Sequence, residues 1–265
     1  MLEIAQIQLN PKLGHCEYNL KRIESLLDQA SKADLIILPE LANTGYKFDN
    51  RDQAYAMASD PTCLKYVEFI RDYSRDNKVN IISGYLEKEG DKLFNSAIFI
   101  KPDGSGGKYR KIHLFMNEKN IFAPGNLGLP IFDLGKYKLG ILICFDYLFP
   151  EIWRIMALKG ADFIVHPSNL ITQNAHKVVP AQAIMNGYYV ITTNRIGTEG
   201  DITFCGNSFI SDPRGNIISE MDRVNEGIKI TTVNPLLSRD KMITTGNHIL
   251  NDRLPDNYFE LFSLK

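Results

Sequence analysis

Apolar runs of strand length alternate along this chain with segments whose apolar residues recur every three or four positions. "LEIAQIQL" reads as a strand, and "EYNLKRIESLLDQA" places Leu20, Ile23, Leu26 and Leu27 on one helical face. "ADLIILPE" is apolar from Leu35 to Leu38 without alternation, the pattern of a strand covered on both faces. "DPTCLKYVEFIRDYSRDN" predicts a helix with Asp60 as N-cap, Pro61 at the first helical position, and Leu64, Val67 and Ile70 facing inward. "VNIISGYLEKEGDKLFNSAIFIKPDG" predicts two strands joined by a Gly90-Asp91 turn. Further on, "YKLGILICFD" is a buried strand that ends on Cys144, and "PEIWRIMALKGA" is a helix with Pro150 near its start. "ADFIVHP" is again a strand, "AHKVVPAQAIMNG" a helix, and "YYVITTNRIG", "NSFISDPRGNIIS" and "GIKITTVN" carry strands. Such alternation predicts an α/β fold with parallel or mixed sheets and crossover helices.

The pattern also repeats. "SKADLIILPELANT" (Ser31 to Thr44) and "LKGADFIVHPSNLIT" (Leu158 to Thr172) align Asp34 with Asp162 and Pro39 with Pro167. Each is a helix end, a buried strand, then proline and a polar residue. Two such units predict two similar sheets related by a pseudo-twofold, with Glu40 facing Ser168 and Asn169 across a shared seam.

Composition narrows the class. A chain of 265 residues, 44% of them hydrophobic, can bury a full core as one large domain. A net charge of −1, from 30 basic and 31 acidic residues, offers no electrostatic footprint for nucleic acid or an anionic membrane. No apolar run approaches membrane-spanning length, and the first residues lack the basic start and apolar core of a signal peptide, so the expected location is the cytoplasm. Cys16, Cys63, Cys144 and Cys205 are far apart with no CxxC pair and are expected as reduced thiols. The five histidines form no ligand pair, so neither a metal nor another cofactor is expected.

Polar residues at strand ends are where such folds place their chemistry. Cys144 is a nucleophile candidate, and a thiol in that role needs a base and a cation beside it. Glu40, at the mouth of "LIILPE", is the base candidate; Lys108, Arg110 and Lys111 in "KYRKIHLF" are the cation candidates. "PDGSGGKYR" lacks the Ser or Thr of a phosphate loop and reads as a glycine-rich turn. His113 and His166 read as satisfied core or rim residues, and Arg195 as a structural pair or a contact for a substrate carboxylate.

"LPELANTGY", "YRKIHLF", "ICFDYLFPE" and "GADFIVHPSN", in this order, resemble the nitrilase or carbon–nitrogen hydrolase superfamily. The resemblance runs from "IAQIQLNP" to "SDPRGNII" and implies a single carbon–nitrogen hydrolase domain over residues 1–265, folded as a four-layer αββα sandwich. By position it implies a triad of Glu40 as general base, Lys111 as the cation for the tetrahedral intermediate and Cys144 as nucleophile, with Glu118 of "EKNIFAPGN" as a second glutamate. The implied activity is hydrolysis of a small linear amide or carbamoyl compound through a thioester, releasing ammonia. A nitrilase using the same triad is the nearest alternative, and a non-catalytic binding or scaffold protein the alternative of another class. The Phe145 backbone N–H is expected at the oxyanion, Tyr46, Tyr147 and Phe149 as pocket walls, and Asn169 at the substrate. Members of this superfamily commonly form homodimers or larger even assemblies. By that likeness Ile152, Trp153 and Met156 of the helix after Cys144, and Tyr258, Phe259 and Phe262 of a tail from about residue 235 to 265, are expected as contact surface.

Overall fold

The computed structural model describes residues 1–262, the side chains of Phe259 and Phe262 excepted, so the assembly expectation for those two side chains lies outside the described residues. The first half of the chain forms β1 (Leu2–Gln8), α1 (Cys16–Ala30), β2 (Leu35–Ile37), α2 (Arg51–Ala58), α3 (Pro61–Leu64), α4 (Tyr66–Asn77), β3 (Asn80–Glu89), β4 (Lys92–Ile100) and β5 (Gly106–Arg110). The second half forms α5 (Glu118–Ile121), β6 (Ile131–Leu134), β7 (Tyr137–Ile141), α6 (Pro150–Leu158), β8 (Phe163–Pro167), α7 (Ala175–Asn186) and β9 (Tyr189–Thr193). A short hairpin of β10 (Thr198–Glu199) and β11 (Ile202–Thr203), then β12 (Phe209–Ser211), β13 (Ile217–Glu220) and β14 (Gly227–Val233) follow.

Two six-stranded mixed sheets result, ordered β14-β1-β2-β3-β4-β5 and β13-β12-β9-β8-β7-β6. In the first, β1, β2 and β3 are parallel while β4, β5 and β14 are antiparallel to their neighbours. In the second, β7, β8 and β9 are parallel and β12, β13 and β6 antiparallel. The sheets therefore correspond strand for strand in order and direction, β1 to β7, β2 to β8, β3 to β9, β4 to β12, β5 to β13 and β14 to β6. The repeat at Asp34 and Asp162 has a matching physical role in each sheet. Asp34 Oδ2 accepts the Glu3 N–H at 2.8 Å and Asp162 Oδ2 accepts the Lys138 N–H at 2.9 Å, each carboxylate fixing the strand beside its own.

Strand alternation builds the layers. Ile4, Leu35, Ile37, Ile82 and Phe99 point between the sheets to meet Leu139, Ile141, Phe163 and Val165, whereas Ala5, Ile7 and Ile36 point outward against Ile23, Leu27, Tyr66 and Ile70 of α1 and α4. Gln6 is a polar residue on the inner face of β1, and its Nε2 donates to the Thr192 carbonyl at 2.8 Å, so the sheets are tied by a hydrogen bond as well as by apolar contact.

Four expectations are corrected by packing. Asp60 does cap a helix, with Oδ1 accepting from Thr62 N at 2.8 Å and Cys63 N at 3.2 Å, but that helix stops at Leu64, a new one begins at Tyr66, and Leu64 is exposed. β7 stops at Ile141, so Cys144 begins a short 3₁₀ turn, Cys144–Leu148, and does not end the strand. Cys16 and Cys63 are joined in a disulfide, because α3 packs beside the start of α1 and holds the two Cα atoms 5.7 Å apart, within bridging range. Among the described residues, only Cys144 and Cys205 are free thiols. Ile152, Trp153 and Met156 are buried inside the chain, with Trp153 Nε1 donating to the Asp146 carbonyl, and present no surface to a second copy. Among the described residues, no helix is long and apolar enough to cross a membrane.

Candidate active site

Three side chains singled out in the sequence meet in the seam between the sheets, each delivered by a loop just past a strand. Glu40 follows β2, Lys111 follows β5, and Cys144 follows β7. All three are buried. Close backbone approach makes room for them. A Cβ at Gly84 on β3 would lie 2.5 Å from Glu40 Cα, so glycine there lets the Glu40 loop rest against the neighbouring strand. Lys111 is held on both backbone sides, its N–H donating to Asn95 O and its carbonyl accepting from Gly125 N, each at 2.8 Å.

Lys111 Nζ donates to Glu40 Oε1 at 2.7 Å and to Glu118 Oε1 at 2.8 Å. Burial opposes its charge, but the carboxylates of Glu118 and Glu40 outweigh burial and push its pKa up, so the ammonium is permanent at neutral pH. Glu40 Oε1 also accepts from Asn95 Nδ2 at 2.6 Å, while Glu40 Oε2 has no partner. Glu118 Oε2 accepts the Phe115 N–H at 3.0 Å, and burial pushes the Glu118 carboxyl up despite Lys111. The Cys144 thiol is raised well above its ordinary value by burial first and by Glu40 next; Lys111 and the backbone of Asn169 pull it back. Tyr46 is likewise pushed up by burial and by Glu118 and Glu40, and stays a phenol.

Cys144 sits at φ 44°, a left-handed backbone that a non-glycine residue adopts only when its surroundings hold it there. Its carbonyl accepts from His166 Nε2 at 2.9 Å. Burial lowers the His166 pKa to about 4, so the ring is neutral; with the proton on Nε2, Nδ1 accepts from Thr192 Oγ1 at 3.1 Å. Asp146 braces the other side. Its Oδ2 accepts from Ile143 N at 2.9 Å and Tyr109 Oη at 2.8 Å, and its Oδ1 faces His113 Nδ1 at 2.7 Å. One buried carboxylate thus ties the turn carrying Cys144 to the loop carrying Lys111.

A cavity of about 200 Å³ opens beside Cys144, lined by Cys144, Phe145, Tyr147 and Asn169 together with Phe115, Leu170, Ile171, Thr172 and Asn174. Tyr46 stands on the other side of the triad, lining with Glu118 a second cavity of about 220 Å³. Phe149 is placed elsewhere. It stacks on His113 with ring centroids 3.5 Å apart and lines a neighbouring hollow without Cys144. Arg195 is buried with its guanidinium on Glu199, the Pro11 carbonyl and the face of Phe204, which makes it a structural pair. Neither Lys108 nor Arg110 is free, since both bind Glu87. A grouping of metal-ligating atoms, Cys16, Asp60 and Cys63, lies away from the triad with both sulfurs in the disulfide.

Asn95, Asp146 and the His166 bond to the Cys144 carbonyl are not foreseen from the sequence. The signal for Asn95 was a polar residue inside the apolar strand "LFNSAIFI"; for Asp146 it was a carboxylate two residues past the cysteine in an otherwise apolar turn.

A family model for carbon–nitrogen hydrolase matches residues 3–240. A Pyrococcus abyssi (strain GE5 / Orsay) protein named nitrilase is 41% identical over 261 residues, spanning 98% of this chain and 100% of its own length. The carbon–nitrogen hydrolase of Helicobacter pylori G27 superposes with a TM-score of 0.86 at 27% identity over 98% of both chains. A cysteine-to-serine mutant of the Nesterenkonia AN1 amidase, of the nitrilase superfamily, superposes with a TM-score of 0.81 at 26% identity, over 90% of this chain and 94% of that one. With the sandwich and the buried Glu, Lys and Cys already in view, these likenesses lead to one conclusion: the chain belongs to the carbon–nitrogen hydrolase family.

Proposed function

We propose that this hydrolase cleaves the C–N bond of small linear amides, with Cys144 as nucleophile, Glu40 as the proton carrier, Lys111 as the cation facing the oxyanion and Glu118 as the residue that positions Lys111. The observation that carries the reading is the division of labour on Glu40. One oxygen is engaged by Lys111 and Asn95, and Oε2, left without a partner, stands ready for a proton. A thiol whose pKa is raised by burial and by Glu40 rests protonated, so attack requires a base at the moment of bond formation.

Glu40 Oε2 takes the Cys144 proton as sulfur bonds to the amide carbon, and the carbonyl electron pair moves to oxygen. Lys111 and preorganised backbone donors such as the Phe145 N–H meet that oxyanion. Glu40 returns the proton to nitrogen, the C–N bond breaks, and ammonia leaves a thioester. Water, deprotonated by Glu40, then attacks the thioester and restores the thiol while the carboxylic acid departs. A nitrile would be attacked by the same three residues, so ammonia release from matched amides, carbamoyl amines and nitriles tests the amide reading, with faster release from the nitriles overturning it.

Glu40→Gln keeps the shape and one acceptor for Lys111 but cannot carry a proton. Turnover is expected to fall by roughly 10²–10⁴. Retention of more than about a tenth of the parent turnover would remove Glu40 from the role.

A second copy belongs to the same proposal. Leu237, Ile243, Leu254 and Tyr258 stand exposed along the C-terminal segment, although Arg239 and Lys241 dock that segment on Asp162 and on the end of α7. An apolar face of this kind calls for a cover. Light scattering at micromolar concentration is expected to give twice the chain mass or a higher even multiple; a monomer mass refutes it.

A further inference from the structure

The loop after β8 places beside the nucleophile one side chain for which the described residues supply no partner. Asn169 is 3% exposed, yet both its Oδ1 and its Nδ2 lack a hydrogen-bond partner. Polar groups left unmet in an interior are costly, so folded chains keep few of them.

The loop is not free to turn the side chain elsewhere. Ser168 N donates to Thr193 O at 2.9 Å, Leu170 N to Asn194 Oδ1 at 2.8 Å, and Cys205 N to Leu170 O at 2.8 Å, so both neighbours of Asn169 are fixed. Asn194 is itself pinned by Gly206 O at 2.6 Å. Asn169 lines the cavity next to Cys144, and among the described residues no Asp, Glu, Lys, Arg or His lines it. The other unpartnered amide side chains, at Gln6, Asn43, Asn95 and Asn186, do not line that cavity.

We propose that Asn169 reads a second polar, uncharged group on the acyl part of the substrate, so that the preferred substrates are short amides carrying a neutral donor and acceptor near the scissile carbonyl, a second carboxamide above all. The proposal rests on the amide-hydrolase reading of Cys144. Two amides meet head to tail, with Asn169 Nδ2 donating to the substrate carbonyl and Oδ1 accepting the substrate N–H. An alkyl chain leaves both ends of Asn169 unmet. A carboxylate satisfies Nδ2 only, sets its charge against Oδ1, and enters a lining that holds no cation.

Three probes of the same length separate the possibilities: butanediamide, pentanamide and 4-amino-4-oxobutanoate. In the parent enzyme, ammonia release is expected to give kcat/KM for the diamide about 10- to 100-fold above each of the others. Asn169→Leu, which keeps the volume, is expected to bring the ratio of diamide to pentanamide down to about the twofold that two scissile amides give by statistics. Asn169→Ala is assayed beside it as a second variant in case the leucine disturbs the fold. A diamide that is not preferred by the parent, or a preference that survives both substitutions, overturns the assignment of Asn169 while leaving amide hydrolysis standing. No ammonia from any of the three probes overturns the amide-hydrolase reading and this proposal with it.

Discussion

Cys144→Ala is expected to release no detectable ammonia from any amide and to unfold within a few degrees of the parent. The first half follows from the chemistry. Without sulfur there is no group to form the thioester, and Glu40, Lys111 and Glu118 are left with an intact charge arrangement around a substrate that nothing attacks. The second half follows from the packing. Cys144 is 6% exposed, and its removal deletes one sulfur from a turn held by His166, Asp146 and Trp153 through contacts that do not involve the sulfur. A void that small costs about 1 kcal/mol, or roughly 2–4 °C in a chain of this size. Cys205 is the other free thiol, half-buried and donating to the Thr172 carbonyl at 3.4 Å. Thermal unfolding and ammonia release measured on Cys144→Ala and Cys205→Ala decide between the two sulfurs. Turnover that survives loss of Cys144 and disappears with Cys205 would transfer the role.

What the sequence shows of this molecule and what it hides divide along a physical line. Buried strands declare themselves, because a strand covered on both faces carries a near-continuous apolar run before a polar residue or proline, as "LIILPE" and "FIVHPSN" do. The duplication is legible for the same reason, down to an aspartate that performs one backbone contact twice. Contacts between segments far apart in sequence are hidden, since nothing local to Asp146 tells that its partners are Tyr109 and His113, and nothing local to Asn95 tells that its carboxamide reaches Glu40. The disulfide is hidden too, with 47 residues separating Cys16 from Cys63. The break between α3 and α4 carries no glycine or proline at Lys65 to announce it. Helix period alone gives α6 an apolar face without saying what covers it. The answer lies in α7 and Tyr188, whose hydroxyl donates to the Trp153 carbonyl at 3.1 Å, and in the segment after β14, where Ile249 O accepts from Arg154. The surface expected to pair two copies is thereby already used within one.

Lys111→Met is expected to lower turnover by about 10²–10³, the roughly 3–4 kcal/mol that one well-placed oxyanion donor contributes. It is also expected to destabilise the fold in a pH-dependent way that Cys144→Ala does not share. Lys111 is fully buried between Glu40 and Glu118, and removing one partner of a buried ion pair costs about 3–5 kcal/mol because the remaining charge loses its compensation. The protein can avoid part of that cost by taking up a proton. The Glu118 carboxyl is already pushed up by burial, and without Lys111 it loses the charge that holds it down, so the folded variant binds a proton that the unfolded chain releases above about pH 4.3. Where the folded state holds more protons, stability falls as pH rises. The melting temperature of Lys111→Met should therefore lie nearest the parent's at about pH 4–5 and drop progressively behind it towards pH 8. Adding Glu118→Gln removes one of the two carboxylates left without a cation, so the double variant should recover part of the stability at pH 8 and none of the turnover. That pairing separates the electrostatic role from a merely structural one, because packing defects do not titrate. Near-normal turnover in Lys111→Met would leave the oxyanion without a cation to meet it, since Arg110 is committed to Glu87 and Glu89 and Lys108 to Glu87, and the Glu-Lys-Cys reading of this site would fail with no substitute among them.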